Sequence, residues 1–479
     1  MSTKKSAVDG GKWITLSTVI STVFQFLQVT ILARILDPSV FGVVSVSALL
    51  INLFYIFSNL GFSNSIIYKQ ENDRNVLSSI YFTSLLLGLT IFCIAYLSAP
   101  LVVAYYKEPK LDYVIKLASI YFLIIYFGQI YLFLLQKELK FKTIALMEII
   151  ATVAGTAITI ALAYNHYEEL SLIYGQLATH VIRTSLQIIL GRHLFTPRLY
   201  LNFNAIKEHL KFGVYNVGDG LLGFVQGNSD NIIVGGLLGV KALGYYTIAS
   251  QLAIFPITKL SPIILQVAYP ILAKMKESDS ELKKAYLSIL DLVSYLNIPL
   301  LAGLYITADS VVPLMYGPGW EETIPLIKIF VFVSIFYCLS NPLFTLAFTK
   351  GKPNLLFYLN LVTLLVKVPL LYVLGTRWQV YGIATAFLLS TFINLILNFF
   401  IVQHLVGDFI RDFFANFIKP VLFCTLMILV ILAYKQYVGN SGLFHTLAQI
   451  LIGGSIYLLL TFKYKITLKE IIAFRRSVS

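Results

Sequence analysis

LDPSVFGVVSVSALL, residues 36–50, returns 202 residues later as LGVKALGYYTIASQL, residues 238–252. Each copy joins the end of one long apolar run to the start of the next through a tight turn that closes on glycine. The shift lays Gly244 over Gly42 and Asp219 over Ser17. Identity between the copies is low, but register and hydropathy pattern agree. Six apolar runs separate the copies. An even number of crossings gives both the same direction through a bilayer, which is the parallel kind of internal repeat.

The runs have the length of membrane spans. A bilayer core takes about 20 apolar residues per helix, and fourteen segments meet that need, the first at 13–35 and the last at 443–461. The chain is 58% hydrophobic and 12% charged, far from the balance of a water-soluble domain. Lys and Arg alternate between the gaps. If the N-terminus faces the cytoplasm, 25 of the 36 lie in cytoplasmic gaps and six in the opposite ones. Positive charge stays inside, so both termini are expected in the cytoplasm. The net charge of +13 is then topology plus attraction to anionic lipid heads, and nucleic acid is not expected as a partner.

The expected fold class is an all-α polytopic membrane protein of about 14 transmembrane helices, with two six-helix lobes in parallel pseudo-repeat and two added C-terminal helices. Residues 1–190 form the first lobe, 191–211 a cytoplasmic linker and 212–403 the second lobe. Residues 404–479 hold an interfacial helix, spans 13 and 14 and a cytoplasmic tail. The interfacial helix is expected because Val406, Phe409, Ile410, Phe413 and Phe417 recur at helical spacing. The competing reading makes that segment the start of span 13.

Several stretches resemble one family: LDPSVFG, KEHLKFGV from Lys207, NSDNIIVGGLLGVKALGYYTIASQLAIFP from Asn228, AYPILAKM from Ala268 and LMYGPGWEETIPLIKIF from Leu314. They look like the polysaccharide transporters of the multidrug/oligosaccharidyl-lipid/polysaccharide exporter superfamily, with Wzx-type flippases for colanic and teichuronic acid the nearest in appearance. The likeness covers roughly the first twelve spans. It implies a bacterial inner-membrane protein that moves undecaprenyl-diphosphate-linked oligosaccharide between leaflets by alternating access, for surface polysaccharide and lipopolysaccharide biosynthesis. A polysaccharide polymerase and chain-length machinery would be its further partners, beside membrane lipids.

Charge at mid-bilayer costs about 2.5–3.5 kcal/mol on insertion scales, so such residues tend to face a wet cavity or a partner. Span 7 carries Asn216, Asp219, Gly223, Gln226, Gly227 and Asp230 at three- and four-residue intervals, one polar face lined with glycine. The repeat shift matches it to Ser17, Ser21, Gln25 and Gln28 on span 1. Tight packing through small residues would account for the glycines but not for two carboxylates. Lys367 lies midway along span 11 and Lys259 midway along span 8, both near proline, which bends helices. Together with Arg34 at the end of span 1, these lysines could neutralise a diphosphate. The candidate substrate path is therefore Lys367, Lys259, Asp219, Asp230, Gln226, Asn216, Gln25, Gln28 and Arg34, with a Lys367–Asp219 ion pair expected in the empty cavity.

No GxxxxGK[ST] loop occurs, so ATP hydrolysis is not expected. Cys93, Cys338 and Cys424 fall inside spans without metal-ligand spacing, and the six histidines are read as interfacial. No cofactor or metal is expected, while coupling to a proton or sodium gradient stays open. Two other readings compete. A multidrug or cation antiporter of the same superfamily would put carboxylates rather than lysines at mid-bilayer. A membrane polymerase or ligase would need a long outer loop, and none exceeds about twenty residues.

Overall fold

The computed structural model describes residues 3–58 and 62–464, with side chains except at 3–8, 58, 204, 205, 208–216, 219, 260, 263, 266 and 267. The described residues fold into helices α1 (Thr3–Ala33), α2 (Pro38–Ser58), α3 (Phe62–Lys69), α4 (Arg74–Tyr106), α5 (Lys110–Lys137), α6 (Phe141–Tyr164), α7 (Glu168–Gly191) and α8 (Phe203–Leu238), with no strand among them. There follow α9 (Val240–Lys274), α10 (Asp279–Tyr316), α11 (Thr323–Ser340), α12 (Pro342–Thr349), α13 (Asn354–Val406), α14 (Ile410–Tyr437) and α15 (Leu443–Tyr464). Ten helical stretches among the described residues are long and apolar enough to cross a membrane. In that count Pro38–Lys69, holding α2 and α3, is one stretch, and so is Thr323–Thr349, holding α11 and α12. The 53-residue α13 is broken at Trp378 and Gln379, whose φ of +53° is left-handed. Dividing α13 at that break, and joining those two pairs, recovers fourteen helices, in the order the apolar runs set out.

The chain forms two compact units, Met1–Gly244 and Tyr245–Ser479. In the first, α5 packs on α4 and α7, and α6 on α1 and α7. Small residues bring α6 and α7 together. A methyl group added at Gly155 would overlap Thr179, and one at Gly175 would overlap Thr159, the close approach that drives helix association where water cannot. Each threonine hydroxyl donates back to a carbonyl of its own helix, Thr159 to Gly155 and Thr179 to Gly175, both at 2.8 Å. Helix α8 packs on α2, α3 and α4, so the 191–211 stretch, expected to part the lobes, leads into a helix of the same unit. Only 192–202 of that stretch is non-helical.

The two copies of the repeat meet in the first unit. A methyl at Gly42 on α2 would overlap the carbonyl of Val240, and one at Gly244, near the start of α9, would overlap the carbonyl of Pro38. Pro38 and Val240 are themselves equivalent under the repeat shift, so the contact is reciprocal. Beside it, the Asp37 carboxylate accepts the Ser39 N–H at 2.9 Å. That bond holds the carboxyl below the usual carboxylate range, and the Lys241 and Lys110 ammonium groups add to the effect.

In the second unit α10 is the central post. It packs on α11, α14 and α15. Tyr295, Ile298 and Ala302 of α10 bury Cys424, Met427 and Ile431 of α14 and Tyr457 of α15. The Tyr457 hydroxyl donates to the Tyr295 carbonyl at 3.0 Å, and Lys435 Nζ to that of Ile306 at 2.6 Å. The last two spans are thus built into this unit. The segment expected as an interfacial helix is the beginning of α14, which runs unbroken to Tyr437 with Pro420 inside it. Its apolar stripe meets protein: Phe409 is buried against Tyr286 and Phe399, and Phe413 against Phe399.

Candidate functional site

The polar face of α8 is open. No described atom lies within 4 Å of a Cβ built at Gly223 or Gly227. Close-packed glycines look different, as Gly42 and Gly155 do. Gly223 and Gly227 therefore leave a trough along this face, as a passage needs and a tight helix contact does not, while Gly220, Gly235 and Gly236 elsewhere on α8 are close-packed. Gln226 is half-buried beside this trough, and Asp230 lies deeper, 3% exposed. Asn216 and Asp219 fall outside the described side chains, and with them the Lys367–Asp219 pair.

On α1 the matching stripe divides. Ser17 and Ser21 are buried, and Ser21 Oγ lies 3.4 Å from Thr152 Oγ1 of α6. Gln28 Oε1 accepts from Thr156 Oγ1 of the same helix at 3.0 Å. Gln25 is exposed. Most of the stripe thus serves the α1–α6 contact, and Gln25 alone of the four projects away. Arg34 is exposed immediately beyond the end of α1.

Lys367 is the most deeply buried cation among the candidates, 2% exposed. Its Nζ stands 4.1 Å from the centroid of Phe387, a ring contributed by the other half of α13. The break at Trp378 and Gln379 folds the two halves of α13 alongside each other, which brings residues twenty apart into contact. Nearby on the same seam, Asn394 Nδ2 donates to Thr363 Oγ1 at 2.8 Å. A desolvated cation over an aromatic face gains about 2 kcal/mol, enough to offset much of the cost of an ammonium inside the membrane. Lys259, by contrast, is half-buried in α9, between Pro256 and Pro262.

The remaining intramembrane cations are paired. Lys116 Nζ donates to Asp112 at 2.8 Å, Lys328 Nζ to Asp309 at 3.0 Å, and Arg183 to Glu148 at 2.6 Å. The Arg183 pair borders a cluster that the sequence reading passed over. Asn52, Tyr121, Gln176 and His180, from α2, α5 and α7, line a cavity of about 230 Å³. His180 stacks edge-on to Tyr121 at 4.5 Å. Its signal was present in sequence: a histidine in mid-span, with Gln176 four residues before it and Arg183 three after, all on one helical face.

Among the described residues no group of His, Cys, Asp and Glu could hold a metal ion. What the geometry offers is a polar trough on one helix, a buried ammonium in the other unit, and ion pairs that neutralise the rest. The trough suits a polar solute and the ammonium an anionic one; the residues named hold no constellation for bond cleavage.

Comparison with known proteins agrees. The pattern of a family described as polysaccharide biosynthesis protein matches residues 31–325. An uncharacterized membrane protein in the cps region of Klebsiella pneumoniae is 30% identical, over 96% of each chain. The lipopolysaccharide biosynthesis protein WzxC of Escherichia coli is 29% identical, over 88% of this chain and 86% of its own. In structure the chain is similar to the lipid II flippase MurJ in its inward closed conformation. That match has a TM-score of 0.75 and 16% identity, over 96% of this chain and 99% of the other. At that identity the match speaks for the fold alone.

Proposed function

The chain belongs to the polysaccharide biosynthesis protein family, and we propose that it carries undecaprenyl-diphosphate-linked oligosaccharide repeat units from the inner to the outer leaflet of the bacterial inner membrane. It is a multi-pass membrane transporter, not an enzyme. The observation that carries the proposal is the open, glycine-lined polar face of α8 in a fold shared with a lipid flippase. Hydroxyl-rich sugars cross along Gln226, Asp230 and the exposed Gln25, while the prenyl tail stays in lipid. Lys367 and Lys259 supply positive charge toward the diphosphate, and Arg34 does so at the far end of α1. Alternating access requires that cargo bind one state better than the other; the buried Lys367 ammonium, released from the Phe387 ring by a competing diphosphate, provides such a difference. Both termini face the cytoplasm, a proton or sodium gradient drives the cycle, and a polymerase with its chain-length machinery receives the product.

Deleting the protein should trap lipid-linked repeat units on the cytoplasmic leaflet. Leaflet location is read by access of an impermeant sugar-modifying enzyme to spheroplasts and to inverted vesicles. Normal delivery to the outer leaflet, in a strain without a second flippase, would overturn the proposal.

A further inference from the structure

Between α7 and α8 the chain runs as a non-helical strap along the first turns of α4. Arg74 donates from Nε to the Thr196 carbonyl at 2.8 Å and also bonds the Thr196 hydroxyl. Ser78 Oγ accepts the Arg198 N–H, and Ser79 Oγ the Asn202 N–H, both at 3.1 Å. Phe195 anchors the start of the strap among Tyr81 and Tyr131. Past that anchor the strap turns apolar side chains outward: Leu199 is 95% exposed, with Leu201 and Phe203 about half so. Irregular backbone survives at membrane depth only where its polar groups are satisfied by protein, and Ser78 and Ser79 do part of that work here.

Leu199 and Leu201 face a groove whose far wall is Phe82, Leu85, Leu86 and Leu89 of α4, with a volume of about 450 Å³. These wall residues lie eight to fifteen positions in from Arg74, roughly 12–22 Å along the helix. The hydropathy pattern sets the membrane span of this helix at 77–99, so the groove opens at hydrocarbon depth, in the leaflet on the Arg74 side. The rim is cationic. The strap from Arg192 to Phe203 carries Arg192 and Arg198, both exposed, and no carboxylate, and exposed Lys207 follows on α8.

We propose that this groove holds one acyl chain of an anionic phospholipid, with the lipid phosphate set against Arg198. An apolar slot under a strap that carries Arg192 and Arg198 and no carboxylate matches a molecule that is apolar below and negative above. Leu86 and Leu89 are each 49% exposed, so the slot opens sideways to bulk lipid. Phospholipid is the most concentrated amphiphile in the membrane and occupies such a site by mass action. The bound lipid pins the connection into α8, the helix that carries the polar trough.

The test uses purified full-length protein in detergent, native mass spectrometry, and phosphatidylglycerol and phosphatidylcholine with identical chains at equal concentration. Phosphatidylglycerol should be retained several-fold better. Arg198→Gln should lower that preference about five-fold, the weight of one arginine near an anionic surface, while Arg377→Gln leaves it unchanged. Leu89→Trp, which fills the slot, should weaken both lipids alike; Leu199→Ser, on the exposed strap, should do the same without touching a helix. Free glycerol phosphate should not compete, since it lacks the chain. Equal retention of the two lipids by the unmodified protein, or an unchanged preference in Arg198→Gln, would overturn the site. Displacement by a prenyl phosphate at lower concentration than phosphatidylglycerol would overturn its assignment to phospholipid.

Discussion

Lys367 shows how much one side chain can be asked to do in a membrane. Its ammonium is buried over the Phe387 ring, which recovers about 2 kcal/mol of a cost of about 2.5–3.5 kcal/mol for charge at mid-bilayer. The ring offsets part of that cost, and an apolar side chain of similar length carries no such cost to offset. Lys367→Met should therefore leave thermal stability and membrane abundance unchanged or slightly raised, yet abolish polysaccharide export. Lys367→Arg should retain part of it. The two readings separate cleanly, because a structural lysine would lose stability and keep export. Export is measured as surface polysaccharide per unit of membrane protein; a Lys367→Met strain exporting at the unmodified rate would remove this residue from the transport path.

At the scale of elements, glycine plays two opposite parts. Gly42 and Gly244 let the repeated turns lie against each other, where the facing atoms are backbone carbonyls of Val240 and Pro38 and cannot swing aside. Gly223 and Gly227 face open space on α8. Alanine should tell the two apart. Gly42→Ala and Gly244→Ala should each cost about 1–3 kcal/mol through overpacking. Gly223→Ala and Gly227→Ala should gain up to about 1 kcal/mol, since glycine is a poor helix former. Thermal unfolding in one detergent would rank them, and equal stability of Gly42→Ala and Gly227→Ala would refute the distinction. The same scale explains the start of α14. Its apolar spacing suits a bilayer surface or a protein groove equally, and the ring pairs of Phe409 and Phe413 fix the choice as protein.

For the whole molecule the charge pattern makes a topological prediction. Cysteines placed at Lys140, Lys207 and Lys276, in a chain whose three native cysteines are replaced, should react with an impermeant thiol reagent only after the membrane is opened. Those at Glu168 and Glu321 should react in intact cells. All five positions are exposed, so silence at one side cannot come from burial. Labelling at Lys207 but not Glu168 in intact cells would reverse the orientation, and an inversion that begins partway along would expose a misplaced span.

Sequence by itself determined the helical class, the order of the crossings and the family. Each rests on a property that a single segment carries: a long apolar run must form a helix in lipid because no water is there to satisfy its backbone, and family stretches are read letter by letter. The sequence also singled out Lys367 and the glycine face of α8, since an intramembrane charge and a polar stripe stand out against an apolar background. Only the tertiary structure decided what those residues face. Periodicity places Ser17, Ser21, Gln25 and Gln28 on one side of α1, but it cannot say that α6 covers most of that side through Thr152 and Thr156. Nor could it place Phe387 beneath Lys367, or gather Asn52, Tyr121 and His180 around one cavity. Those contacts join residues far apart in the chain, and they depend on which helix faces are pressed together, which no segment encodes alone.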